Sequence, residues 1–282
     1  MAKTKKNAIH PTAVVSPDAE ISNDVNIGPY SVISGEVRIG EGTTVGPHTV
    51  IEGPTVIGRN NCITGQSAIG TDPQDLKYRG EESSLYIGND NIIREYVTVN
   101  RGTKGGGSKT SILDGNLLMT GVHIAHDCSV GNGTILANSA TLAGHVEVAD
   151  FSIVGAFCGV HQFCRVGDYA FVGGYSVLTR DALPFIKTVG QRNKSKLYGI
   201  NSLGLRRKGF SNSRINILKR AYRCFFNKEL TLRDAIEKIR KGGLDSEDVK
   251  LLIRFIETAK RGFVREIGDK DLKNKKTRSD CR

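Results

Sequence analysis

At 282 residues, 38% hydrophobic and 24% charged, the chain is long enough to bury a core and falls outside the composition of a disordered polymer. With 33 Gly, no Trp, two Met and 6% aromatic residues, its interior must be filled by Ile, Val, Leu and Ala, which suits a narrow, regular core. The net charge of +11 is unevenly placed (−5 over residues 1–184, +16 over 185–282), and no apolar run reaches the roughly 20 residues of a membrane span. The N-terminal MAKTKKNAIHP has no apolar stretch behind its charges, so a secretory signal is excluded and a cytoplasmic location expected.

From residue 9 onward the sequence repeats every six residues. Ile or Val stands at 9, 15, 21, 27, 33, 39, 45, 51, 57, 63 and 69, and the phase resumes at Ile87, Ile93 and Val99. It then shifts and runs from Ile112 through Leu118, Ile124, Val130 and onward to Val172 and Leu178. Branched aliphatics take roughly one position in four or five of ordinary sequence, so 26 such hexads are no accident. Gly often follows the aliphatic (Gly28, Gly40, Gly46, Gly58), and a small or β-branched residue tends to stand four places on (Ser31, Thr43, Thr49, Thr134).

A helix cannot use a period of six, because 3.6 does not bring it onto one face. Short β-branched strands joined by tight turns can, with Gly or Asn expected to supply the positive φ. Three such sides close an 18-residue triangular coil, and stacked coils pair as parallel strands about 4.8 Å apart. The expected fold is therefore mainly β, a triangular prism of hexapeptide repeats over 8–190, built of eight to nine coils.

Two loop insertions interrupt the prism, near 71–86 and 100–111. The first carries Asp75, Lys77 and Tyr78 in a polar stretch that points to function. The second holds Gly105, Gly106 and Gly107, which fit either an anion cradle or a simple excursion. Beyond them lie His123, His126, His145 and His161. Residues 18 apart share a column, so His126 stacks with Gly144 and Gln162, and Asp127 with His145. Imidazoles clustered in consecutive coils suggest chemistry near neutral pH. The spacings do not match those of the zinc histidines of γ-class carbonic anhydrases on a similar prism, so no metal is expected. Proton transfer is favoured, with His126 as general base and Asp127 as its orienting carboxylate, provided the pair sits at a corner. The six cysteines form no C-x-x-C pair and read as reduced thiols, several of them core filler.

Residues 191–265 read as a basic helical domain. A first helix follows Ser211, a second follows Thr231, with Asp234 completing a capping box, and a third follows Ser246. Residues 266–282 lack apolar periodicity and are expected to be a disordered tail. Such a basic part calls for an acidic partner, nucleic acid or an acidic protein. Only Phe210 is interleaved with the arginines of RRKGF, so nucleic acid is disfavoured.

The strings IHPTAVV (9–15), PQDLKYRGE (73–81), NLLMTGVHIAHDCSVGN (116–132), LANSATLAGHVEV (136–148), GVHQFCRVG (159–167) and GINSLGLRRKGF (199–210) closely resemble the acyl-ACP–UDP-N-acetylglucosamine O-acyltransferases (ACP, acyl carrier protein). The resemblance covers about residues 8–265. These enzymes begin lipid A, and so lipopolysaccharide, biosynthesis. The likeness implies a left-handed parallel β-helix, a cytoplasmic homotrimer, and transfer of an (R)-3-hydroxyacyl group from ACP to the 3-hydroxyl of UDP-N-acetylglucosamine or a close analogue. It implies His126 as base and the Gly144 amide as oxyanion donor. Asp75, Lys77, His123, His145, His161, Gln162, Asn201 and Arg207 would touch substrate, and Gly174 would end the acyl channel, leaving it open to a long chain. No bound cofactor is implied, since phosphopantetheine arrives on the carrier. The carrier is also the acidic partner, with Arg206, Arg207, Lys208, Arg220 and Arg223 as its contacts. Asn100 and Leu203 depart from the pattern, where several relatives carry His and an acid, and Asn100 leaves the 3-amino analogue of the sugar open. A sister acyltransferase acting on another amine or hydroxyl of a nucleotide sugar is the alternative reading.

Overall fold

A computed structural model describes residues 8–267 except 228 and 245. Strands of mostly two to four residues stack in parallel on three faces. The first face begins at Ala8–Ile9, the second at Val14–Val15 and the third at Glu20–Ile21. One coil takes 18 residues, so that Val45 lies between Ile27 and Ile63. Where Ile69 pairs with Val99 the step is 30, and the first loop therefore adds 12 residues. Val99 pairs with Ile124 after 25, so the second adds seven.

The hexad aliphatics form the core because alternate strand residues point inward. From Ile27 to Leu178 none is more than 2% exposed. Each contributes about 1.5–3 kcal/mol of burial, an upper range that regular repetition multiplies. Four residues after each aliphatic, a small side chain closes the corner. Thr43 Oγ1 donates to Gly58 O at 2.9 Å and Ser31 Oγ to Gly46 O at 2.9 Å, so these hydroxyls are buried but satisfied. Asn61, Asn91 and Asn116 form a ladder at the same position, Asn91 Nδ2 donating to Asn61 Oδ1 at 2.9 Å and Asn91 Oδ1 accepting from Asn116 N at 2.9 Å. Cys128, Cys158 and Cys164 fill that position too, and burial pushes the Cys128 thiol up to about 12. Cys281 lies outside the described residues.

The turns correct one expectation. The left-handed residue, three after the aliphatic, is often neither Gly nor Asn: Tyr30, His48, Asp127, His145, Phe151, Phe157, Phe163, Tyr169 and Tyr175 all have φ between 55° and 63°. That conformation costs a β-carbon-bearing residue about 1–2 kcal/mol. Stacking between successive coils offsets it, with ring centroids 5.1 Å apart for Phe157–Tyr175 and 4.4 Å for His145–Phe163. The glycines after the aliphatics serve close approach instead. A Cβ on Gly40, whose φ is not positive, would stand 2.6 Å from the Gly58 carbonyl carbon of the next coil.

The hexads stop at Leu178 but the stack does not. A 16-residue step pairs Val172 with Thr188, which adds the strand Ile186–Val189 to the first face. Strand Lys196–Ile200 then turns back antiparallel to it. The helices follow: α1 (Ser202–Arg207), α2 (Asn212–Phe225), α3 (Leu232–Lys241) and α4 (Glu247–Glu257). Ser211 and Thr231 cap α2 and α3, accepting from Arg214 N and Asp234 N at 3.2 Å. Ser246 takes the cap position of α4 but makes no side-chain cap bond. Arg165 fastens the helices to the third face through Asp181, Thr258 Oγ1 and the Phe255 carbonyl. Of the expected tail, Glu266 and Ile267 pair with Leu197, and residues 268–282 lie outside the described part.

Candidate active site

The corner between the second and third faces gathers the clustered histidines. His126 and Asp127 are consecutive, yet their side chains meet, because Asp127 takes φ 61° at the turn. His126 Nδ1 lies 2.7 Å from Asp127 Oδ2, and the His126 side chain is only 8% exposed. A carboxylate at that distance accepts from Nδ1–H, and in the neutral imidazole that tautomer leaves the lone pair on Nε2. One coil on, Gly144 lies against the ring: a Cβ there would come within 2.5 Å of Cε1 and 2.7 Å of Nε2. The amides of Ala143 and His145 bond to neighbouring coils, whereas that of Gly144 has no protein acceptor among the described residues. A basic nitrogen and a free N–H thus share one buried corner.

His145 completes the group. Its Nε2 is 3.7 Å from Asp127 Oδ2, its ring meets His126 edge-on at 5.1 Å, and Phe163 stacks on its other side. Burial holds the His145 imidazole below its ordinary pKa against the opposing pull of Asp127 and Asp75, and a proton on His126 would lower it further. His123, on the second face, lies 2.7 Å from Thr98 Oγ1; burial holds its imidazole low as well, and a proton on His126 would lower it further. Ligand atoms of His126, Asp127 and His145 lie within 4.8 Å of one another, a spacing compatible with a cation. Asp127 Oδ2, however, is already engaged by His126 and by Thr103 Oγ1.

The other expected residues divide by position. Asp75 lies close enough to His145 to act on its charge, while Lys77, whose amide bonds to Asp75 Oδ1 at 2.9 Å, is exposed. His161 and Gln162 continue the same corner and are exposed. Gly174 stands at the corner between the first and second faces, beside Tyr175, which is 74% exposed. Asn201 caps α1, accepting from Gly204 N at 3.3 Å and donating to Tyr169 O at 3.1 Å, and Arg207 ends that helix exposed. Tyr169 belongs to the third corner, so within one chain Asn201 and Arg207 stand away from His126. A cleft of about 780 Å³ borders the histidine corner on the third face, between Asp127, His145 and Phe163 on one side and Phe255, Lys260 and Arg261 on the other.

Sequence reading missed the residues that hold this corner. Thr110 Oγ1 accepts from Asp127 N at 2.8 Å, and Thr103 binds the Asp127 carboxylate from the second loop. Buried Arg101 bonds to Asp72 and to the Gly70 carbonyl, pinning the base of the first loop; Asn100, which the sequence did single out, donates there from Nδ2 to Asp72 O at 2.8 Å. The one available signal was the change of hexad phase, which a 25-residue step converts into these neighbours.

The comparisons agree on one family. Residues 181–264 match the family model described as UDP N-acetylglucosamine O-acyltransferase, domain 2. The acyl-ACP–UDP-N-acetylglucosamine O-acyltransferases of Trichlorobacter lovleyi and Thermodesulfovibrio yellowstonii are 54% and 49% identical over 259 residues, covering 92% of this chain and 99% and 100% of theirs. Among solved structures, the LpxA of Acinetobacter baumannii is 44% identical with a TM-score of 0.87, over 91% of this chain and 99% of that one. The Francisella novicida UDP-N-acetylglucosamine acyltransferase also scores 0.87, at 38% identity over 92% of this chain and 94% of its own.

Proposed function

The chain belongs to the acyl-ACP–UDP-N-acetylglucosamine O-acyltransferases, the enzymes of the first step of lipid A synthesis, and on that footing we propose that His126 is its general base. The observation that carries this reading is Nε2 of His126 lying over Gly144, neither that nitrogen nor the Gly144 amide having a hydrogen-bond partner among the described residues. In the proposed step Nε2 takes the proton of the sugar 3-hydroxyl as its oxygen attacks the thioester carbonyl of an (R)-3-hydroxyacyl-ACP. The tetrahedral oxyanion receives the Gly144 N–H; such donors are worth about 3–4 kcal/mol. Collapse breaks the C–S bond, the thiolate recovers the proton from the imidazolium, and ester and free carrier thiol leave. Asp127 keeps the ring in the required tautomer throughout.

The separation of Asn201 and Arg207 from His126 within one chain supports a homotrimer in which a neighbouring subunit supplies them. His123, His145, His161, Gln162, Asp75 and Lys77 would line the sugar side, and Gly174 the end of the acyl channel. Arg206, Arg207, Lys208, Arg220 and Arg223 suit an acidic carrier, which brings its own phosphopantetheine, so the reaction asks for no bound cofactor and no metal. A cytoplasmic enzyme fits these soluble substrates, and no helix among the described residues is long and apolar enough to cross a membrane.

The test supplies (R)-3-hydroxyacyl-ACP with UDP-N-acetylglucosamine or its 3-amino analogue and follows acyl transfer. Transfer should fall on the order of 10²–10⁴-fold in His126→Ala. Full activity in that variant would remove His126 as the base.

A further inference from the structure

The second loop is built around Asp127. Thr103 donates twice to its carboxylate, from its backbone N to Oδ1 at 2.7 Å and from its hydroxyl to Oδ2 at 2.6 Å. Gly106 covers the same group so closely that any Cβ there would overlap the carboxyl carbon and both oxygens. The Asp127 side chain is consequently 0% exposed. Gly105 differs: its nearest neighbour for a Cβ is Thr103 Oγ1 at 3.9 Å, an ordinary contact. Neither Gly105 nor Gly106 has a positive φ, so the two differ in space and not in backbone freedom. The loop thus forms an anion cradle, and the anion it holds belongs to the protein.

We propose that Thr103 and Gly106 are positioning residues of the transfer reaction, fixing the Asp127 carboxylate so that it holds His126 in its reactive orientation. A carboxylate buried with all its partners in place keeps one geometry, whereas one left with an unpaired oxygen turns to find another donor. Thr103 also shares Oδ2 with His126 Nδ1, so its hydroxyl fixes where the imidazole proton can point. Thr110 Oγ1 holds the Asp127 amide and not its carboxylate, and Gly105 stands clear of both, so Gly105 serves as the control.

The inference rests on His126 being the base, and the experiment separates the two. Four variants are compared with wild type and His126→Ala in steady-state assays, with thermal midpoints recorded for each. Thr103→Val, which keeps the backbone donor and loses the hydroxyl, should lower kcat by about 10–100-fold while both KM values stay within about twofold. Thr103→Ser should restore most of that kcat, since the hydroxyl returns. Gly106→Ala should lose at least as much as Thr103→Val, and Gly105→Ala should match wild type. An inactive His126→Ala beside a fully active Thr103→Val overturns the positioning role alone. An active His126→Ala overturns the base assignment beneath it. Equal losses in Gly105→Ala and Gly106→Ala, or a loss in Thr103→Val that serine does not rescue, would show a loop needed only for folding.

Discussion

At the scale of single residues, the site is a set of groups kept neutral or ionised by what surrounds them. His123 and His145 are both held below the ordinary histidine value, chiefly by burial. The unfolded chain protonates them near pH 6.5 while the folded chain does not, so their contribution to stability is complete above that pH. It is lost as the pH falls through their lowered folded values. Urea midpoints taken from pH 7.5 down to 5 should therefore drop more steeply for wild type than for a His123→Gln, His145→Gln double variant; parallel curves would show that neither imidazole is held neutral by the fold. Much of this corner was legible in advance, because an 18-residue column puts His126 over Gly144 by arithmetic alone. The meeting of His126 with Asp127, two neighbours that a strand would point apart, was expected only on condition that the pair sits at a corner. Only a residue forced into a left-handed turn allows it, and nothing in the letters H-D announces that conformation. Thr103 was equally hidden, since its partner lies 24 residues away across a change of phase.

At the scale of the element, the hexad is a contract between adjacent coils more than a local preference. Glycine after the aliphatic looks like a turn residue in sequence, yet at Gly40 it is the neighbouring backbone that forbids a side chain. Replacing Gly40 by Ala should destabilise the protein by about 1–3 kcal/mol, because backbone cannot step aside as a flexible side chain can. Gly159 offers the comparison, with nothing within 4 Å of its would-be Cβ, and Gly159→Ala should leave the denaturation midpoint close to wild type. Equal midpoints for the two variants would refute the close-approach account. The helices show the reverse limit of sequence reading. α2 and α3 announced themselves by cap and apolar spacing, whereas α1 is six residues long, too short for a periodicity to register. The strand Ile186–Val189 escaped because its coil is two residues short, so no aliphatic falls where the count of six expects one.

At the scale of the whole molecule, the prism displays different residues on different corners. Asn201 and Arg207 are tied to the corner of Tyr169, and His126 to another. If the proposed trimer brings them together across subunits, inactive His126→Ala and Arg207→Ala chains should complement when unfolded and refolded as a mixture. Mixed trimers would contain some sites with both residues intact, and part of the wild-type rate should return. A mixture no more active than its components would place both residues in one chain's site. The charge division belongs to this scale as well. It was plain in the composition, and it follows the change from prism to helices, but composition could not say where along the helical surface a carrier would rest.

The reversed strand Lys196–Ile200 has a consequence for solubility. A column of parallel rungs is its own template: its last rung offers the same row of amides and carbonyls that every earlier rung used to recruit the next. Left bare, such an end welcomes a second column, and the product is a filament. Here the final rung on the first face is covered by chain running the opposite way, a direction in which a further coil cannot be propagated. On that face a single change of strand polarity closes the repeat.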